Sequence, residues 1–130
     1  MKVSSLANNL IWEVVALMKK YGYYVNDEKL EEKIKGHLRY KTCKILLDRD
    51  GHVCAVCFWN ISADGITADI TDLIIREDYR KKDLMRNILR EGLKIWNVKH
   101  LRYVRDYNED GHDRGPKKVI KVERFLRRKA

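Results

Sequence analysis

The stretch Ile70-Thr71-Asp72-Leu73-Ile74-Ile75-Arg76-Glu77-Asp78-Tyr79-Arg80-Lys81-Lys82-Asp83-Leu84-Met85-Arg86-Asn87-Ile88-Leu89 decides the fold. It opens as a strand that ends on the apolar triplet Leu73-Ile74-Ile75. Charged residues follow through 76–82, and from Asp83 onward Leu84, Ile88 and Leu89 return at helical spacing. Upstream, the strand extends back to Thr67. Downstream, the spacing predicts a helix over 83–98 with Leu84, Ile88, Leu89, Leu93 and Trp96 on its apolar side, then a short strand at 101–104. A helix joining two strands is a crossover, so strands 67–75 and 101–104 are expected to be parallel neighbours.

Further upstream, residues 42–48 and 52–61 are rich in β-branched, aromatic and Cys side chains. Asp50-Gly51 and Asp64-Gly65 supply hairpin turns, which predicts an antiparallel meander of three strands. Before it, Leu6, Leu10, Val14, Leu17, Met18 and Tyr21 recur at helical spacing, with Gly22 as a stop. Asn26 or Asp27 caps a second helix carrying Leu30, Ile34 and Leu38, weakened near its end by Gly36. Residues 106–116 read as loop, and 118–126 as a last strand with Val119, Ile120, Val122, Phe125 and Leu126. The fold class is α/β with a mixed sheet, in one domain spanning 1–130. Phe58, Leu73, Ile75, Ile88, Leu89 and Trp96 are the expected core.

A chain of 130 residues buries enough surface to fold without a disulfide or metal staple. No apolar run approaches the roughly 20 residues of a membrane span, and the N-terminus does not read as a signal peptide, so a cytoplasmic location is expected. Three cysteines without an export signal read as free thiols. Cys54 and Cys57 form a CxxC inside a strand, where positions i and i+3 point to opposite faces. No second pair completes a metal site, so core cysteines are expected and metal is not. His37, His52, His100 and His112 lack ligand spacing and read as surface residues. The net charge of +9 is concentrated at the end: residues 114–130 carry eight basic side chains against Glu123, or +7. Such an end suits nucleic acid, an acidic protein or a phosphorylated cofactor, or is simply a solvated terminus.

The element order and the 70–89 segment resemble the GNAT N-acetyltransferase superfamily. Its members end a strand on an apolar triplet, follow it with an acidic residue, an aromatic and Arg, and open a helix through Arg/Gln-x-x-Gly-x-Gly/Ala. Asp78-Tyr79-Arg80 matches the approach, and Leu84, Ile88 and Leu89 match the apolar helix positions. The resemblance implies an acetyl-CoA cofactor whose pyrophosphate rests on N–H groups at the helix start. Leu73, Ile74, Ile75, Arg80, Lys81, Lys82, Asp83, Leu84, Met85 and Arg86 are then the cofactor-binding candidates. Asp83 and Met85 stand where the family has glycines. Asp83 reads as an N-cap whose carboxylate competes with a phosphate, while Arg76, Arg80, Lys81, Lys82 and Arg86 offset the repulsion.

The resemblance further implies direct acyl transfer to an amine beside the parting of strands 67–75 and 101–104. That chemistry needs a base for the ammonium and an acid for the leaving thiolate. Asp69 and Asp72 are the carboxylates on the first strand. At i and i+3 they are expected on opposite faces, so at most one faces the cleft. Asp72 is preferred as base, with pairing to a basic side chain as its alternative role. Tyr103 or Tyr107 is the candidate acid, although family members carry that tyrosine on a helix after the fifth strand, where 106–116 reads as loop. The function expected is an acetyl-CoA-dependent N-acetyltransferase acting on an amine. The alternative is a catalytically inactive GNAT-fold binding module that uses its basic C-terminal edge on nucleic acid or an acidic protein.

Overall fold

The structure is a computed structural model and describes residues 2–4, 7–21, 26–79, 84–104 and 117–127. Among them the order is β1 (Lys2–Ser4), α1 (Ile11–Lys20), α2 (Asp27–Tyr40), β2 (Cys43–Leu47), β3 (Val53–Ile61), β4 (Thr67–Ile75), α3 (Leu84–Gly92), β5 (His100–Val104), β6 (Lys117–Lys121) and α4 (Val122–Arg127). The strands form a six-stranded sheet in sequence order, β1 to β6. β4 and β5 are parallel, as the crossover requires, and the other neighbours are antiparallel.

Apolar side chains on the two sheet faces build two cores. Val14, Met18, Leu30 and Ile34 of α1 and α2 cover Ile45, Val56, Phe58 and Ile74. On the opposite face, Leu84, Ile88, Leu89 and Leu93 cover Cys57, Trp59, Ile70 and Leu101. Phe58, Ile88 and Leu89 are fully buried, while Leu73, Ile75 and Trp96 are half-buried at the margin of the second core. The Trp96 indole N–H donates to the Lys41 carbonyl at 3.3 Å, which pins the ring over the end of α2.

Helix α2 begins as its sequence requires, with the Asn26 side chain accepting from the Lys29 N–H at 2.9 Å. It runs past Gly36 to a left-handed Lys41, and the Thr42 N–H closes the end on the His37 carbonyl.

Two expectations are corrected. The strand expected over 118–126 stops at Lys121, and 122–127 are helical. Val122 and Leu126, four residues apart, both pack on the α3 core, and the Arg90 guanidinium donates to the Leu126 carbonyl at 2.9 Å. The short β1 was not expected at all. Its three residues pair with Ile45, Leu46 and Leu47.

Cys54 and Cys57 do not face opposite ways. The register jumps from Leu46↔Ala55 to Leu47↔Val53, so Cys54 is an extra residue in β3, and both cysteines lie in the α3-side core. All three cysteines are buried and free. Burial pushes the Cys43 thiol up to about 12 and raises those of Cys54 and Cys57. Native protein treated with iodoacetamide at pH 8 is therefore expected to stay unmodified, with alkylation appearing on unfolding, as mass spectrometry reads directly. Rapid labelling of Cys54 or Cys57 in the folded state would contradict this placement.

Candidate active site

β4 and β5 pair over three positions: Thr67 with His100, Ala68 with Leu101 and Asp69 with Arg102. Beyond Asp69 they part. Tyr103 and Val104 stay with β6, opposite Lys118 and Lys117, while residues 70–75 stay with β3. Where the two strands part, the β4 edge over 70–75 borders a cleft and has no strand beside it among the described residues.

At the head of the cleft β4 bulges. Phe58 lies opposite Asp72 and Trp59 opposite Ile70, which leaves Thr71 as the extra residue. The bulge overturns the expectation that Asp69 and Asp72 face opposite ways. They lie across from Asn60 and Phe58, two residues apart on β3, so both carboxylates occupy the α2 face.

Their surroundings differ. Asp72 is buried, 3.0 Å from the Lys33 ammonium of α2, and accepts from the Thr71 hydroxyl at 2.9 Å. Asp69 is half-exposed, with the Arg102 guanidinium at 4.0 Å. Tyr103 is half-buried against the α3-side core and so lies on the opposite face from the carboxylates. Tyr107 lies outside the described residues.

Of the cofactor-binding candidates, Ile74 is buried on the α1/α2 face, and Leu73 and Ile75 pack towards α3. These side chains are structural, and what the segment offers the cleft is its backbone. Leu84 is buried at the start of α3 and Arg86 half-buried two residues on. Arg80, Lys81, Lys82, Asp83 and the Met85 side chain lie outside the described residues. Arg76 is engaged elsewhere. It clamps Asp78 at 2.7 and 3.2 Å and reaches Asp48 at 3.2 Å, and its guanidinium lies 4.8 Å from the Tyr79 ring centre. Asp78 first, and Asp48 after it, raise the Arg76 pKa further, so it remains a fixed cation.

Beside the carboxylates, between α2 and β3, lies a cavity of about 520 Å³ walled by Glu32, His37, Tyr40, Asn60 and Trp96. A second cavity of about 350 Å³ opens on the other side of His37, towards Lys41 and Gly92. His37 is not a surface residue. It is half-buried, its ring stacks on Phe58 at 4.6 Å, and Nδ1 lies 2.7 Å from the Thr42 hydroxyl. The sequence held a trace of this. His37 lies three residues after the buried Ile34 and four after Lys33, on the flank of the apolar stripe. No helix among the described residues is long and apolar enough to cross a membrane, and no group of metal-ligating side chains occurs among them.

No protein-family model matches the sequence, and no curated protein matches it. Solved structures do. A mutant of the spermidine N-acetyltransferase SpeG from Vibrio cholerae superposes with a TM-score of 0.69 at 13% identity, over 97% of this chain and 96% of that one. N-acetylglutamate synthase from Neisseria gonorrhoeae, complexed with coenzyme A and N-acetyl-glutamate, gives 0.62 at 14% identity over 79% of this chain, which spans 24% of that longer protein. The GNAT-like decarboxylase GphF in complex with isobutyryl-CoA gives 0.62 at 11% identity, over 83% of this chain and 67% of that one. Likeness at these TM-scores across such distant sequences shows that this chain has the fold of these GNAT-type proteins.

Proposed function

We propose that the protein is an acyl-CoA-dependent N-acyltransferase, with acetyl-CoA as donor and a small amine as acceptor. The observation that carries this reading is the open β4 edge. Residues 70–75 lie past the last β4–β5 pair, at a cleft that begins at a bulge and with no strand beside them on that edge among the described residues. An extended chain of amide groups can lie along such an edge as an added strand. The N–H groups at the start of α3 favour an anion such as a pyrophosphate, and Lys81, Lys82 and Arg86 add positive charge. Two neighbours in this fold are complexed with coenzyme A or an acyl-CoA, which supports a coenzyme of this class.

Bound there, acyl-CoA supplies an activated acyl thioester. The chain's own residues then have two tasks. Asp69 and Asp72, brought to one face by the bulge, attract an ammonium towards the cleft head. Because Asp72 is neutralised by Lys33, Asp69 is the more open of the pair. Tyr103, on the α3 face, or Tyr107 is the proposed proton donor to the leaving sulfur.

The test is a product assay. Purified protein is incubated with acetyl-CoA and a panel of n-butylamine, benzylamine and 1,4-diaminobutane, and N-acetylated product is read by mass spectrometry. Protein-dependent product is expected. If none forms and acetyl-CoA does not bind, the alternative reading of a binding module that works through its basic end replaces this one.

A further inference from the structure

Resting on the N-acyltransferase reading, we propose that His37 is the general base of the transfer, taking the proton from an acceptor ammonium held in the cavity between α2 and β3. Three features of its setting carry this. The ring walls that cavity, whose Asn60 lies directly across from Asp69, the last residue before the strands part. It stacks on Phe58, which sits opposite Asp72, so the imidazole shares a face with both carboxylates. Its Nδ1 is fixed at 2.7 Å from the hydroxyl of the buried Thr42, whose backbone is itself held by the His37 carbonyl and the Trp59 N–H. With the hydroxyl accepting from Nδ1–H, Nε2 keeps its lone pair for a proton.

The charges around the ring agree with this role. Burial first, and then the neighbouring Lys33 ammonium, lower the His37 pKa from 6.5, while Asp72 opposes them. The Cys43 thiol on β2 is neutral at this pH. Glu32 and Tyr40 face the ring across the larger cavity, and Lys41, Lys44 and Glu91 across the smaller. The lowered pKa favours the unprotonated imidazole, the form a base needs. Asp72 is already paired with Lys33. In the step itself, Nε2 takes the ammonium proton and the freed nitrogen lone pair forms a C–N bond to the thioester carbonyl carbon. The C–S bond then breaks, the thiolate takes a proton from a tyrosine hydroxyl or water, and the second proton of the attacking nitrogen passes to that donor, which leaves a neutral amide and a free thiol.

The test compares wild type with His37→Gln and with Thr42→Val, which keeps the imidazole but removes its anchor. Acetyl-CoA is the donor, and the fastest of the three named amines is the acceptor. The wild-type kcat/KM is expected to fall on an acid limb centred below pH 6.5. His37→Gln should lose about 10²-fold or more, lose that limb, regain rate with added imidazole and bind acetyl-CoA unchanged by calorimetry. Thr42→Val should show a smaller loss with a displaced limb. A readout independent of turnover is the His37 imidazole NMR signal, expected to titrate below 6.5 and to shift when the amine alone is added. His37→Gln within threefold of wild type and with the limb intact would overturn the assignment and leave the acyltransferase standing. So would a His37 signal blind to the amine. Absence of product from wild type with every amine, together with no binding of acetyl-CoA, would overturn both.

Discussion

Replacing Trp59 with Ala is expected to cost about 3–5 kcal/mol. Trp59 is fully buried on the α3 face of β3, and it sets how closely α3 approaches the sheet. Gly92 shows how close that is. Its backbone is ordinary right-handed helix, with φ −66 and ψ −35, so no unusual conformation demands glycine there. What demands it is space, because a Cβ at Gly92 would run into the Trp59 ring. Gly92→Ala, worth up to about 1 kcal/mol in favour of a bare helix, is expected to destabilise by about 1–3 kcal/mol by overpacking. Trp59→Phe should be much milder than Trp59→Ala. The indole nitrogen is buried without a hydrogen-bond partner among the described residues, so losing it removes no such bond there. Melting curves read all three, at roughly 4 °C per kcal/mol for a chain of this size. A Trp59→Ala loss under about 1 kcal/mol would show that α3 does not pack as described.

The second large effect is an asymmetry. Asp72 and Lys33 form an ion pair across α2 and β4, but the aspartate side chain is 7% exposed and the lysine 39%. Lys33→Met removes the countercharge 3.0 Å from a buried carboxylate and is expected to cost about 1–3 kcal/mol. Asp72→Asn leaves an ammonium that reaches water and an amide that still accepts from Thr71, so it should cost less. Chemical denaturation of the two variants and the double mutant measures the difference. Equal losses, or a larger loss for Asp72→Asn, would mean the pair is not buried as the structure has it.

The element order was legible because it rests on periodicity. Leu30 and Ile34 announced α2, the Asp-Gly turns announced the meander, and Leu84, Ile88 and Leu89 between two strand patterns announced the parallel β4–β5 pair. Inference from strand parity failed at two places for one reason. Cys54 and Thr71 are each an extra residue in a strand, and neither is a glycine or proline that would mark a bulge. Beyond each bulge every side chain changes face. The CxxC pair and the two aspartates, each spaced i to i+3, therefore ended on the same side. The 122–127 segment is too short for its period to separate helix from strand, and packing on α3 decided it. His37 gained its setting from Phe58 and Thr42, contacts made by folding that no local pattern contains. The family-like glycine positions, Asp83 and Met85, were legible as substitutions, but Asp83 and the Met85 side chain lie outside the described residues.

The reading of the cleft as an acyl-CoA site is tested most directly by amide hydrogen exchange with and without saturating acetyl-CoA. Exchange is expected to slow at amides within residues 70–75 and at the start of α3, and to stay unchanged in β1 and β2. Unchanged exchange throughout β4 and α3 at millimolar acetyl-CoA would contradict it.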